Sequence, residues 1–92
     1  MILETNDIVK RLARLDMWGQ LNQTQEECAE LIAAINKLRR HKTGSYDMVE
    51  AEIADVCIMM AQCRLIIGPE HIDKVIIEKL ARCEERLLNG KL

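Results

Sequence analysis

The chain has 92 residues, of which 49% are hydrophobic and 30% charged, with one Trp, one Tyr and no Phe. This aliphatic composition is typical of a small helical domain and argues against a disordered or β-rich chain. The net charge of −2, with acids and bases interleaved, argues against the concentrated basic surface that nucleic acid binding needs.

No apolar segment approaches the roughly 20 residues of a membrane span, and the first residues lack the features of a signal peptide. We therefore expect a single cytoplasmic domain over residues 1–92, with neither a nucleic acid polymer nor a membrane as a partner.

The first predicted helix runs from about Asn6 to Met17, with Thr5 or Asn6 as its N-cap. Apolar residues recur at helical spacing in this segment and form one stripe, made of Ile8, Val9, Leu12 and Leu15. The segment WGQLNQ is predicted to form a turn, after which a second helix continues to about Arg40. The segment HKTGSYD then ends that helix.

A third helix is predicted over residues 48–67, with Asp47 as its N-cap and Gly68 at its end. Pro69 fits the first turn of a fourth helix that runs to about Leu88. Short connections between long helices favour antiparallel packing, and the third helix is apolar on nearly all sides. The sequence therefore predicts an all-α fold, an antiparallel bundle of about four helices that is completed by oligomerisation.

Four cysteines occur among aliphatic residues within predicted helices, and none has CxxC spacing: Cys28, Cys57, Cys63 and Cys83. We expect them to be buried, reduced thiols, because free cysteine packs as a small hydrophobic residue. His41 and His71 stand far apart in the sequence, so the chain offers no closely spaced zinc ligands.

Two pairs of acids occur three residues apart within apolar helical segments, Glu27 with Glu30 and Glu52 with Asp55. At about 100° per residue, Glu27 falls inside the apolar arc of its helix and Glu30 borders that arc. Glu52 and Asp55 both fall within the apolar arc of the next helix. One such pair alone would be interpreted as a solvated face with ion pairs. Two pairs on successive antiparallel helices predict four carboxylates that face one interior.

Four carboxylates in such an interior cannot all stay ionised unless a cation is bound or some of them are protonated. Hard divalent ions take oxygen ligands, and Mg²⁺ suits several carboxylates when phosphate oxygens supply its remaining ligands. The i, i+3 spacing places the two acids of a pair about 5–6 Å apart at Cβ, near enough to share an ion. The residues therefore predict a site for Mg²⁺, for which Mn²⁺ can substitute.

The fourth helix carries a basic stripe, Lys79, Arg82 and Arg86, which borders its apolar residues. Two interpretations stay open for this stripe. The side chains either extend along the apolar surface and form salt bridges with Glu78 or Glu85, or they form a clamp for phosphate oxygens.

The stretch EECAEL, followed by EIADV, has the pattern E-x-x-E, a spacer, then E-x-x-D, and it resembles the MazG-like nucleoside triphosphate pyrophosphohydrolases. The resemblance is to the short, phage-type members and extends over roughly residues 8 to 88. It implies an all-α, Mg²⁺-dependent enzyme that hydrolyses the α–β bond of an NTP or dNTP to a monophosphate and pyrophosphate. It also implies a homodimer or homotetramer whose subunits complete each other's active sites.

The resemblance implies a role for each of the residues that match. The metal-binding and catalytic acids are Glu27, Glu30, Glu52 and Asp55. The phosphate-binding cations are Lys79, Arg82 and Arg86. The nucleotide-binding residues are Trp18, Asn22 and Gln25, although a single Trp between two helices also fits a role in packing.

Other classes of function compete with this interpretation. A non-catalytic helical partner protein stays open, with surface acids and a third helix that only dimerises. A di-iron carboxylate bundle needs Glu-x-x-His pairs, and neither His41 nor His71 follows a Glu by three residues. A helix-turn-helix regulator needs a strongly basic recognition helix, which the chain lacks.

Overall fold

The computed structural model describes residues 1–41 and 46–91. Within these residues the chain is all-α, which confirms the predicted fold class. A short 3₁₀ helix at Leu3–Thr5 is followed by four α-helices: α1 (Asp7–Ala13), α2 (Met17–His41), α3 (Tyr46–Ile67) and α4 (Pro69–Leu88). In the described ranges, none of the helices combines the length and the apolar character that crossing a membrane requires.

Helix α1 begins where its cap predicts but is shorter than expected. The Asn6 side chain accepts hydrogen bonds from the backbone N–H groups of Ile8 and Val9, at 2.9 and 3.2 Å. The helix ends at Ala13 rather than Met17. Val9 is buried, but Ile8 and Leu15 are exposed, so the predicted four-residue stripe is wrong for these two. A helix of about two turns presents only one narrow line of side chains to the helix it packs against.

The predicted turn at WGQLNQ is wrong, because α2 already begins at Met17 and includes this segment. The chain turns before this segment, in residues 14–16 between α1 and α2. Asp16 starts the new helix, since its Oδ2 accepts from the Gly19 N–H at 3.2 Å and its carbonyl accepts from Gln20 at 3.0 Å. This is the hydrogen bonding of an N-cap acid, and it outweighs the low helix propensity of Gly19.

Helix α3 includes Tyr46 and Asp47 in its first turn, so the prediction of Asp47 as an N-cap is wrong. The start of α4 is confirmed. Gly68 has a φ of 125°, a conformation that residues with a side chain rarely adopt, and Pro69 follows at the first helical position.

Helices α2 and α3 form an antiparallel hairpin that holds most of the core. Thr24 of α2 donates to the Gln20 carbonyl at 2.8 Å, and its hydroxyl lies 3.3 Å from the Cys63 sulfur of α3. Helix α1 and the 3₁₀ helix pack against α3 as well. Among the residues whose burial is described, the buried ones are Val9, Thr24, Ala34, Met59, Ala61 and Gln62.

Helix α4 stands away from this core. Among the described residues it contacts α3 but not α2, and its residues from Asp73 onward are exposed. Near the α3–α4 turn, Arg64 donates to Glu4 and to Asp73, each at 2.5 Å, and so links α4 to the N-terminal 3₁₀ helix. The radius of gyration is 16.0 Å, against about 12 Å for a compact domain of this length. The single chain is therefore an open structure.

The cysteines are free thiols, as predicted. The prediction that they are buried is wrong for Cys57 and Cys83, which are exposed, whereas Cys28 and Cys63 are half-buried. Cys57 lies on α3 and Cys83 on α4, on faces that stay exposed among the described residues.

Candidate metal centre

The α2–α3 hairpin brings three of the predicted acids together. Glu52 and Asp55 lie three residues apart on α3, and the antiparallel α2 places Glu27 opposite them. Each of these residues contributes one carboxylate oxygen to a cluster whose atoms all lie within 4.8 Å of one another. We call Glu27, Glu52 and Asp55 the acid triad.

Two carboxylate oxygens of the acid triad are buried without a hydrogen-bond partner, Oε2 of Glu27 and Oε2 of Glu52. The other oxygen of Glu27 accepts from the Gln23 side-chain amide at 3.0 Å. Buried polar atoms in proteins are almost always paired, because an unpaired one loses its hydration without compensation. The two unpaired oxygens therefore indicate that a positive partner belongs between the helices.

The surroundings of Glu27 shift the pKa of its carboxyl group. The hydrogen bond from Gln23 lowers the pKa of Glu27, but desolvation and the negative charges of Glu30 and Asp55 raise it. The net shift is upward from the ordinary value of 4.5. Without a cation, Glu27 thus holds a proton more tightly than a free glutamate does.

Glu30 is not a member of the acid triad. It is exposed, and it lies about 60° around α2 from Glu27, towards solvent. Its charge still raises the pKa of Glu27, so the two side chains are neighbours. The sequence predicts four converging carboxylates, whereas the structure brings three together and leaves Glu30 at the rim.

The donor set of the acid triad fits a hard divalent cation. All of its donors are carboxylate oxygens, and Glu27 and Glu52 are half-buried while Asp55 is exposed. Mg²⁺ is held in proteins by a few carboxylates and keeps further positions for water and substrate phosphate. The exposed side at Asp55 leaves such positions accessible. Glu27, Glu52 and Asp55 are therefore the residues that would hold the ion.

The basic stripe does not join the acid triad within one chain. Lys79, Arg82 and Arg86 are exposed on α4, and in the described part of the chain α4 does not contact the helix that carries Glu27. None of the three forms an ion pair with Glu78 or Glu85 among the described residues, so the salt-bridge interpretation of this stripe is not observed.

The predicted nucleotide-binding residues lie on another side of α2. Trp18, Asn22 and Gln25 are exposed, and they lie about 140–180° around the helix from Glu27. Within a single chain they face away from the acid triad. A contact between these residues and a nucleotide at the acid triad would need a second chain.

Two glutamines with unusual surroundings, Gln23 beside Glu27 and the buried Gln62, were not predicted from the sequence. Gln23 donates to Glu27, and the signal for it is the i, i+4 spacing of an amide and a carboxylate on one helix. Gln62 is only 1% exposed, and its amide donates to the Met59 sulfur at 3.5 Å while its Oε1 has no partner. It follows Asp55 by seven residues and so lies on the same face of α3.

Comparisons with protein-family models, with curated proteins and with solved structures found no match to this chain. The resemblance to MazG-like enzymes therefore depends on the acid pattern alone and stays a prediction. The geometry adds one independent fact, which is that acids from both pairs meet across two helices.

Proposed function

We propose that this chain is a Mg²⁺-dependent nucleoside triphosphate pyrophosphohydrolase, which splits the α–β bond of an NTP or dNTP. The observation that carries the proposal is the acid triad with its two buried, unpaired carboxylate oxygens. A charged oxygen-donor site of this kind suits a divalent cation together with a phosphorylated substrate. The pattern E-x-x-E followed by E-x-x-D supports the choice of a nucleoside triphosphate.

The residues have separate tasks in the proposed reaction. Glu27, Glu52 and Asp55 hold the cation, which when bound neutralises phosphate charge and makes water more acidic. Glu30 is exposed beside Glu27 and lies outside the acid triad, which leaves its carboxylate free to accept a proton from the attacking water. Water adds across the α–β bond, and the products are a nucleoside monophosphate and pyrophosphate.

The proposed enzyme works as a homodimer or homotetramer. Lys79, Arg82 and Arg86 suit phosphate oxygens, but one chain keeps them away from the acid triad. A second copy would bring its α4 cations, and residues such as Trp18, to the site. The exposed position of α4 in the single chain supports this arrangement.

A non-catalytic helical partner protein is the second candidate. The observation in its favour is the number of large apolar side chains exposed on α3 and α4, among them Ile53, Met60, Leu80 and Leu87. It predicts association without nucleotide hydrolysis and no specific affinity for Mg²⁺.

The test incubates the purified protein with each common NTP and dNTP and Mg²⁺, and separates the products. We expect pyrophosphate and monophosphate from the wild type. Glu27→Gln should lower the rate at least about 100-fold, in the range seen when a charge-stabilising group is removed from an active site. The matched control is Glu26→Gln, the neighbouring exposed acid on the same helix, and it should keep the wild-type rate.

Three other results would contradict the proposal. Orthophosphate and a diphosphate would show cleavage of the β–γ bond instead. The absence of hydrolysis with every nucleotide would favour the non-catalytic protein. Equal loss in Glu26→Gln and Glu27→Gln would show that the acid triad has no particular role.

A further inference from the structure

The C-terminal end of α2 has a charge pattern that differs from the rest of the chain. Over the whole sequence acids and bases are interleaved, but residues 31–46 contain four Lys or Arg residues and no acid. On α4, by contrast, acids stand directly beside the basic stripe, as Glu78 does beside Lys79. The positive charge at the end of α2 is therefore not offset by any acid within its own segment.

A cavity of about 430 Å³ lies on this part of α2. The described residues that line it are Ala33, Asn36, Arg39 and Arg40. Ala33 has only a methyl group and leaves room beside the three longer side chains. Pockets that bind small molecules have volumes of about 300–1,000 Å³, so this cavity is large enough for a ligand.

Three of these four side chains carry hydrogen-bond donors. Each guanidinium group of Arg39 and Arg40 has five N–H donors and no acceptor, and the Asn36 amide adds two more donors. None of the three forms an ion pair or a side-chain hydrogen bond with another residue of the described ranges, whereas Arg64 is paired with two acids. Unused donors together with positive charge indicate an anionic ligand.

The end of the helix accounts for only part of this charge. The C-terminal carbonyl groups of a helix are equivalent to about half a negative charge, and basic side chains there stabilise the helix. Arg39 and Arg40 carry two positive charges, so most of their charge remains after the helix end has been neutralised. Stabilising the helix would also require neither the cavity nor the amide of Asn36. An anion accounts for all of these features.

The directions of the donors favour a phosphate group over a carboxylate. Arg39 and Arg40 lie on opposite sides of Asn36, about 60° and 40° around the helix from it. A single guanidinium group can bind both oxygens of a planar carboxylate. A phosphate group has oxygens that point in several directions, so it can accept from all three side chains. The volume of the cavity exceeds that of one phosphate, which favours a chain of two or three phosphates.

The cavity is distant from the acid triad. Asn36 follows Glu27 by nine residues on the same helix, which places it about 14 Å along the helix axis and about 180° around it. The basic stripe of α4 is not part of the cavity lining among the described residues. A phosphate in this cavity would therefore leave the candidate metal centre open.

We propose that the cavity at the end of α2 binds the di- or triphosphate group of a small molecule, which is held by Arg39, Arg40 and Asn36. It is a second phosphate site that needs no metal ion. The inference does not rest on the proposed hydrolysis. Its experiments are carried out in EDTA, so that the acid triad cannot bind phosphate through a cation.

The first experiment titrates the protein with inorganic phosphate, pyrophosphate and tripolyphosphate in a calorimeter. We expect one site per chain and an affinity that rises with the number of phosphates. Arg39→Gln and Arg40→Gln should each weaken the binding of tripolyphosphate at least about 10-fold, the equivalent of one charge-assisted hydrogen bond. Both residues are exposed, so the circular dichroism of the variants should match that of the wild type.

Two matched controls remove an exposed cation that does not line the cavity. Lys37→Gln changes the same helix and Arg82→Gln changes the basic stripe of α4. Each should keep the affinity for tripolyphosphate within about twofold, because separated surface charges interact weakly. The absence of tripolyphosphate binding, or an equal loss in Lys37→Gln and Arg40→Gln, would overturn the inference. A loss in Arg82→Gln alone would place the anion on α4 and would also overturn it.

The second experiment locates the anion by nuclear magnetic resonance. Addition of tripolyphosphate should shift the Nε–Hε signals of Arg39 and Arg40 and the side-chain amide signals of Asn36. The Nε–Hε signals of Arg82 and Arg86 should stay in place. Shifts confined to the arginines of α4 would overturn the inference.

The third experiment identifies the source of the phosphates by comparing tripolyphosphate with nucleoside triphosphates. Equal affinities would show that the site binds the phosphate chain alone, and tighter nucleotide binding would show that the cavity also holds the nucleoside. Either result supports the inference. A single-stranded oligonucleotide that binds more tightly than both would show a nucleic acid surface instead and would overturn it. Phosphate binding in EDTA without hydrolysis in Mg²⁺ would contradict only the proposed function.

Discussion

The α2–α3 hairpin and α4 differ in their structural environments, although each of the three helices carries charged residues next to apolar ones. Helix α3 packs against α2, α1 and the 3₁₀ helix, and its acids take a fixed position opposite Glu27. Among the described residues helix α4 contacts α3 and no other helix, and its cations Lys79, Arg82 and Arg86 face solvent.

The difference shows what an amphipathic stripe specifies. It specifies that a face will be covered, but not by which helix or by which chain. In the hairpin the covering helix is in the same chain, so the candidate metal site forms without a partner. For α4 no covering helix comes from the described part of the chain, which is why its cations are separated from the acids.

The largest effect expected from this difference is on stability. Met59→Ala should lower the free energy of unfolding by about 2–4 kcal/mol, because it removes a buried side chain from the hairpin and leaves a cavity. Leu88→Ala on α4 should change it by less than about 0.5 kcal/mol, since Leu88 is 81% exposed.

Urea unfolding at one fixed protein concentration measures both variants, because association also contributes to stability. The contrast between the hairpin and α4 would be wrong if Leu88→Ala lowered the free energy of unfolding as much as Met59→Ala. That result would place the end of α4 in a packed core.

The second effect concerns pH and Mg²⁺. The raised pKa of Glu27 means that the folded protein binds this proton more tightly than the unfolded chain does. The stabilisation is complete below the ordinary value of 4.5 and is lost as pH rises through the raised pKa. Metal-free protein should therefore lose stability across this range, and added Mg²⁺ should restore it increasingly as the carboxylates ionise.

Thermal unfolding with EDTA and with Mg²⁺, repeated between acidic and neutral pH, measures this effect. At neutral pH and about a hundredfold excess over its dissociation constant, Mg²⁺ should raise the melting temperature by roughly 10–20 °C. Glu27→Gln should remove most of the pH dependence and the response to Mg²⁺, and Glu26→Gln should keep both. A melting temperature that does not change when Mg²⁺ or Mn²⁺ is added would contradict the metal site.

The smallest effect is expected at the junction between α3 and α4. Asp73→Asn removes one of the two acids that pair with Arg64, and Asp73 is more than half exposed. Exposed ion pairs contribute little, and at 1 M salt the screening length is only about 3 Å. We expect a slight loss of stability at low salt that disappears at 1 M salt.

Glu4→Gln is the matched variant on the other side of Arg64, and its effect should be larger because Glu4 is less exposed. Urea midpoints at both salt concentrations measure the two variants. A large loss in Asp73→Asn that persists in 1 M salt would show that this ion pair, rather than packing, holds α4.

The sequence alone determined the features that depend on near neighbours along the chain. Asn6 caps α1 and Gly68 with Pro69 starts α4, because capping and backbone conformation act over one helical turn. The spacing of Glu27, Glu52 and Asp55 within apolar segments was enough to predict that these acids converge. The turn predicted at WGQLNQ was wrong because Asp16, which was not predicted as a cap, starts α2 before that segment.

Only the tertiary structure decided which predicted faces are covered. Glu30 borders an apolar arc, yet it lies at the rim because α3 covers one side of α2 and not the next. Cys57 and Cys83 have the sequence surroundings of core residues, but both are exposed in the described part of the chain. Whether a helix face is buried depends on other helices that are far away in the sequence. The periodicity within one helix carries no information about where those other helices pack.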